Sequence, residues 1–163
     1  MGVGKSVVAQ RLAELLSLPL IDLDAHIEKE KGKSIFHIFK EEGEATFREY
    51  EKEAILLLLE RDNCIVALGG GSINHNKLDA RIRSKAFLIY LKASPEFLSA
   101  RLKSEKKKRP VIAHLADQEL DAFIESHLQE REKGYLNAQI SIDVEGKSLD
   151  EIANYLKDYF DLL

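Results

Sequence analysis

With 163 residues, 45% of them hydrophobic and 32% charged, the chain suits a single domain with one substantial core and a charged surface. Its 28 acidic against 24 basic residues give a formal charge of −4, which argues against nucleic acid as the main partner. The sequence has no run of about 18 apolar residues and no apolar run after a basic start, so neither a membrane span nor a secretory signal is expected.

Cys64 is the only cysteine, so no intrachain disulfide is expected and a reducing cytoplasm is the natural setting. In its apolar run Cys64 reads as a small core residue. The five histidines have no i,i+4 pair and no cysteine companions, which argues against structural zinc.

The chain opens with Met1-Gly2-Val3-Gly4-Lys5-Ser6, followed by Val8, Leu12, Leu15 and Leu16 at helical spacing, so a helix is predicted from Lys5 to about Leu16. Gly4-Lys5-Ser6 is the second half of the phosphate-loop pattern G-x-x-x-x-G-K-[ST]; the first glycine lies outside the chain. Glycines let backbone N–H groups curl around phosphates, and a helix N-terminus adds partial positive charge. Lys5 suits the β- and γ-phosphates, and the Ser6 hydroxyl suits magnesium.

Next comes a short strand, Pro19-Leu20-Ile21, ending in Asp22-Leu23-Asp24. Two carboxylates at i and i+2 are expected to leave the strand end on one side, one toward a metal's water shell and the other toward an acceptor. The bland reading is a loop aspartate capping a helix at Ala25.

A long helix is predicted from about Glu44 to Glu60, with Phe47, Ile55, Leu58 and Leu59 inward. The strand Cys64–Leu68 runs straight into Gly69-Gly70-Gly71, where three glycines suit a backbone that must approach a ligand closely. A third strand is predicted over Ala86–Leu91. Ser94-Pro95 then caps a helix reaching about Leu102. The basic run Lys106-Lys107-Lys108-Arg109 reads either as a solvated loop or as a mobile loop that visits phosphate. A helix over 117–137, a strand over Ile140–Val144 and a helix opened by the capping box Ser148–Glu151, with Ile152, Tyr155 and Leu156 inward, complete the chain. Apolar strands alternating with helices imply a three-layer α/β domain with a mainly parallel sheet and a ligand crevice at the strands' carboxyl ends.

The order G-x-G-K-S, L-I-D-L-D, F-R, G-G-G, R-P and E-R-x-x-x-Y, running from Gly2 to Tyr135, resembles the shikimate kinases. These are P-loop small-molecule kinases. The resemblance implies transfer of the γ-phosphate of ATP to the 3-hydroxyl of shikimate, with Mg2+, by a cytoplasmic monomer. It implies that Gly2, Val3, Gly4, Lys5, Ser6 and Val7 hold ATP and that Ser6 and Asp22 hold the metal. Asp24 binds the shikimate hydroxyls near the attacking oxygen. Arg48 and Arg131 grip the carboxylate as planar bidentate forks, with Gly70 and Gly71 offering backbone contact. Arg109, on a lid over about 104–117, closes on the phosphates, and Arg101 stacks on adenine. Lys5, Asp24 and Arg109 form the expected catalytic set.

Relatives carry an apolar strand before the loop, central in the sheet, so the natural chain is expected to extend upstream of Met1. On the same motifs the alternative is another small-molecule kinase, such as a gluconate kinase. The alternative from a different class is a non-catalytic remnant.

Overall fold

The computed structural model describes residues 2–76, 79–106 and 112–162. Its elements run α1 Lys5–Leu16, β1 Leu20–Asp22, α2 Leu23–Lys31, α3 Ile35–Glu41, α4 Gly43–Leu58, β2 Ile65–Ala67, α5 Ser72–Asn76, α6 Asp79–Lys85, β3 Ile89–Lys92, α7 Pro95–Glu105, α8 Asp117–Tyr135, β4 Ile140–Asp143 and α9 Leu149–Asp161.

The strands form two parallel pairs. β1 lies beside β2, with Ile21 opposite Val66 and Asp22 opposite Ala67. β3 lies beside β4, with Leu91 opposite Ile142. Among the described residues the two pairs are not hydrogen-bonded to each other. Each parallel pair needs a helical crossover, supplied by α2–α4 in the first and α7–α8 in the second. β1 and β2 therefore end side by side, at Asp22 and Ala67, and both feed polar or glycine-rich segments.

Apolar burial follows this division in the main, although Ile65 of β2 packs in the second cluster and Leu88, just before β3, in the first. Leu23, Ile27, Ile38, Phe47, Ala54, Ile55 and Leu58 pack around the first pair. Val8, Leu12, Leu98, Leu102, Ile112, Leu120, Ile142, Ile152 and Leu156 pack around the second. Helix α1 packs along α9 and also touches β1 and β2, so it spans both groups. No helix among the described residues is long and apolar enough to cross a membrane.

The long helices fall close to their predicted bounds, and Ser94 and Ser148 cap as expected: each hydroxyl accepts the N3 backbone N–H, from Phe97 and Glu151 respectively, at 3.2 Å. Of the four short helices, α3, α5 and α6 were not predicted, and α2 only in the alternative reading of an aspartate that caps a helix at Ala25. They have few residues over which a period can emerge, and such helices draw stability from packing more than from propensity. Caps for two of them were legible: the Asp22 carboxylate accepts from Asp24 N and Ala25 N in α2, and the Ser34 hydroxyl from His37 N in α3.

Two placements differ from expectation. Tyr155 is 55% exposed, because the buried stripe of α9 runs through Ile152, Ala153 and Leu156, with Phe160 packed beside it. Cys64 is half-buried just before β2 rather than inside the core. Of the segment assigned to a lid, Ser104 belongs to α7 and Ile112 is fully buried, while residues 107–111 lie outside the described residues.

The C-terminal helix offers a direct check on local capping. Replacing Ser148 by alanine removes the acceptor for Glu151 N and the hydroxyl donor to the Glu151 carboxylate, leaving the Ser148 backbone N–H to that carboxylate. Ser148→Ala should cost about 1 kcal/mol, seen as a lower urea midpoint with an unchanged denaturant slope.

Candidate active site

At the N-terminus of α1, Gly2 and Gly4 both have positive φ, +83° and +95°. That conformation suits residues without a Cβ and turns the backbone into the helix. Gly4 is the N-cap and brings no side-chain cap, so the first-turn N–H groups above it suit an anion. Val3 is half-buried against the core, Ser6 lies in this first turn, and Val7 is 53% exposed beside it. A Cβ on Gly2 would press on Leu102 at 3.0 Å, and the guanidinium of Arg101 would lie 3.6 Å from one on Gly4. Arg101 therefore leans over the glycine turn, 5.9 Å above the Phe97 ring. Arg109 lies outside the described residues.

The segment from Leu68 to Ser72, leaving β2, is where the other functional side chains meet. Lys5 Nζ donates to the carbonyl of Leu68. A Cβ on Gly69 would find Ser72 Oγ at 3.0 Å, Glu51 Oε1 at 3.2 Å and Asp24 Oδ1 at 3.4 Å. One on Gly70 would find Arg131 Nη1 at 3.0 Å and Tyr135 Oη at 3.7 Å. Tyr135 Oη donates to the carbonyl of Gly70, and Gly71 is buried. The structure thus gathers Lys5, Asp24, Arg131, Gly70 and Gly71 around one loop.

Arg48 reaches the same loop through a residue the sequence analysis missed. Its Nη1 donates to Glu51 Oε2 at 3.0 Å, and Glu51 Oε1 accepts from Ser72 Oγ at 2.6 Å. Glu51 is 1% exposed, and Arg48 also holds the exposed Glu44 at 3.0 Å. A signal was available: Glu51 sits on the buried stripe Phe47, Ala54, Ile55 and Leu58 of α4, three residues after Arg48. A buried carboxylate requires a partner, and an i,i+3 arginine is the nearest one.

The aspartates also differ from expectation. Only Asp22 ends the strand. Its carboxylate caps α2, accepting from Asp24 N at 3.1 Å and Ala25 N at 3.2 Å, while Asp24 is already in the first helical turn. The two side chains thus leave a strand end and a helix, rather than one strand on one side. Asp24 is solvent-accessible, yet protein packed about its carboxyl pushes its pKa above the ordinary 3.8. Lys5 opposes this, and the negative charges of Asp22, Glu51 and Glu28 add to it. The Tyr135 hydroxyl is likewise pushed up by burial, against the pull of Arg131.

A glycine-rich loop, with an ammonium and a glycine-turned helix end on one flank and a carboxylate with two arginines on the other, is an arrangement that suits phosphoryl transfer. The family model "Shikimate kinase" matches residues 1–160. The chain belongs to the shikimate kinase family. The family's reaction is the phosphorylation of shikimate by ATP, and that is this chain's function. A shikimate kinase of Flavobacterium johnsoniae is 40% identical, the match covering 100% of this chain and 94% of that one. The shikimate kinase crystal structure from Bacteroides thetaiotaomicron superposes with a TM-score of 0.91 at 29% identity, over 99% of this chain and 94% of that one. The Acinetobacter baumannii enzyme, solved in complex with shikimate, gives 0.85 at 27%, over 98% and 88%. These likenesses favour shikimate over the gluconate kinase alternative.

Because Gly70 and Arg131 are already in close contact, Gly70→Ala must move one of them. It should lower kcat/KM for shikimate about 100-fold, with the KM for ATP changed far less, in steady-state assays varying each substrate in turn.

Proposed function

We propose that the residues gathered on the Leu68–Ser72 loop carry out this transfer in defined roles. The observation that carries the reading is the convergence of Asp24, Arg131 and, through Glu51, Arg48 on that loop. Arg48 and Arg131 bind the shikimate carboxylate. The substrate carboxylate takes the place of exposed Glu44 on Arg48, while buried Glu51 keeps its hold and aims the fork. The backbone of Gly70 and Gly71 lies against the ring.

Gly2, Val3, Gly4, Ser6 and Val7 wrap the nucleotide phosphates, and Lys5 pairs with their β- and γ-oxygens. The cation of Arg101, beside Gly4, serves the nucleotide, its stacking on adenine following from family resemblance. Arg109 completes the charge around the transferring group.

Asp24 orients the 3-hydroxyl and accepts its proton as that oxygen bonds to the γ-phosphorus and the bond from phosphorus to ADP breaks. Its raised pKa makes it a stronger base than an ordinary carboxylate. The hydroxyl of Ser6 and the carboxylate of Asp22 are hard oxygen donors, which fit magnesium and would hold it with the nucleotide. Bound there, the ion supplies positive charge against the phosphates. The enzyme works as a cytoplasmic monomer.

The deciding assay is ADP release from Mg-ATP with and without shikimate. Shikimate-dependent release is expected; release that ignores shikimate sinks the reading. Asp24→Asn should lower kcat by about 10²–10⁴-fold, with shikimate binding retained.

The pH profile follows from Asp24. The ionised form is the active one, so kcat/KM falls as pH drops through a pKa lying above 3.8. Glu28→Gln removes one of the negative charges that raise this pKa, while keeping an acceptor for Ile35 N. It should move the acid limb to lower pH; an unmoved limb in that variant removes Asp24 as its source.

A further inference from the structure

Helix α8 carries both side chains that touch Gly70, and it reaches the loop through one contact that neither the motifs nor the roles above account for. Asn74, two residues after Ser72 in α5, lays its carboxamide across the last turns of α8. Its Nδ2 donates to the carbonyl of Glu130 at 3.1 Å. A Cβ on Gly134 would overlap Asn74 Oδ1 and would lie 2.9 Å from Cγ and 3.3 Å from Nδ2. The amide therefore fills the notch that Gly134 leaves. Asn74 Oδ1 is buried and, among the described residues, has no hydrogen-bond partner.

Each of these facts is costly alone. A glycine inside a helix destabilises by about 0.5–1 kcal/mol relative to alanine. A buried acceptor without a partner costs about 1–3 kcal/mol. Their coincidence at one contact asks for a reason, and the helix register supplies it. The amide grips residues 130 and 134, and the residues that touch Gly70 are the next ones along the chain, Arg131 and Tyr135. A helix is rigid over one turn, so the depth of Asn74 in the Gly134 notch sets how near Arg131 stands to the loop. Ser72, in the same short helix, ties the other side of the loop to Glu51 and so to Arg48.

We propose that Asn74 is a positioning residue for shikimate binding, acting through the Gly134 notch to fix Arg131 against Gly70. The inference rests on the reading of Arg131 as a group that binds the substrate carboxylate. An interaction made equally in ground and transition states sets KM and leaves kcat alone. General loosening of the domain would instead affect both substrates and kcat.

The test compares Gly134→Ala, Asn74→Ala, their double variant and Arg131→Ala, each assayed with shikimate and ATP varied separately. Gly134→Ala should raise the KM for shikimate about tenfold, with kcat and the KM for ATP within about twofold of the parent. Asn74→Ala should raise the same KM by a smaller factor. In the double variant the alanine methyl finds the space the amide has left, so adding Gly134→Ala to Asn74→Ala should cost less than adding it to the parent.

Independent, multiplying effects overturn the proposal, as does an equal loss for both substrates. If Gly134→Ala does not fold, Asn74→Ala decides: a raised KM for shikimate alone supports the proposal and an unchanged one overturns it. Arg131→Ala separates the two levels. An unchanged KM for shikimate in that variant overturns the reading of Arg131 and the proposal with it. A raised KM there beside an unchanged Asn74→Ala overturns the proposal only.

Discussion

The site depends on the lack of a side chain at Gly69 and Gly70. Five elements deliver groups to the turn after β2: Lys5 from α1, Asp24 from α2, Glu51 from α4, Ser72 from α5, and Arg131 with Tyr135 from α8. They approach so closely that a methyl on either glycine would stand 3.0 Å from a neighbour's polar atom. A side chain at either position would force its neighbours to give by a few tenths of an ångström, and transfer depends on how closely such groups are placed. The conformational entropy of ordering three consecutive glycines is the cost of this convergence. It is met by bonding the loop from several sides at once.

Glu51 shows how a buried charge is made tolerable. Removing a carboxylate from water costs several kcal/mol unless partners replace the lost hydration. Here Arg48 and Ser72 each bond one of its oxygens, and Gly69 leaves room for them. The same bonds give Glu51 its consequence for function. A long arginine side chain loses much rotamer freedom when fixed, and Glu51 holds Arg48 from the buried side. The outward side of the guanidinium meets the exposed carboxylate of Glu44. Exchanging one solvated carboxylate for another at that position loses little, since an exposed pair is worth about 0–1 kcal/mol.

What the sequence revealed and what it concealed have physical causes. The phosphate-loop half and the glycine triplet stood out because each demands glycine where few other roles require it, whereas Arg48 and Arg131 took their expected roles only from the family resemblance. The long helices were legible because α1, α4, α8 and α9 run for three turns or more, enough for a period to show. Asp22-Leu23-Asp24 misled because an alternating pattern fits a strand end and a capped helix equally well. The carboxylate of Asp22 resolves it by bonding Asp24 N and Ala25 N. Tyr155 misled because a half-polar ring at helical spacing carries no sign of which way the stripe turns. The Asn74–Gly134 contact could not be read at all, since it joins residues sixty positions apart and exists only once α5 and α8 are packed.

The division of the strands into two pairs gives the central loop one further role. Around β1 and β2 lie the groups proposed for the acceptor: Asp24, Arg48, Glu51 and the glycines. Around β3 and β4, with α1 and α7, lie those proposed for the nucleotide: the Gly2–Ser6 turn and Arg101 above it. Among the described residues no ladder hydrogen bond joins the two pairs, so their relation is set by side chains and by helices that cross between them. Helix α1 touches β1, β2 and α9. Lys5 bonds Leu68 O. Helix α8 packs in the second core through Leu120 and Ile124, yet its last turns reach Gly70 in the first. In-line transfer requires the phosphorus and the attacking oxygen to be held from opposite sides at a fixed separation. Lys5 and Arg131 tie one side to the other, Lys5 at the carbonyl of Leu68 and Arg131 beside Gly70.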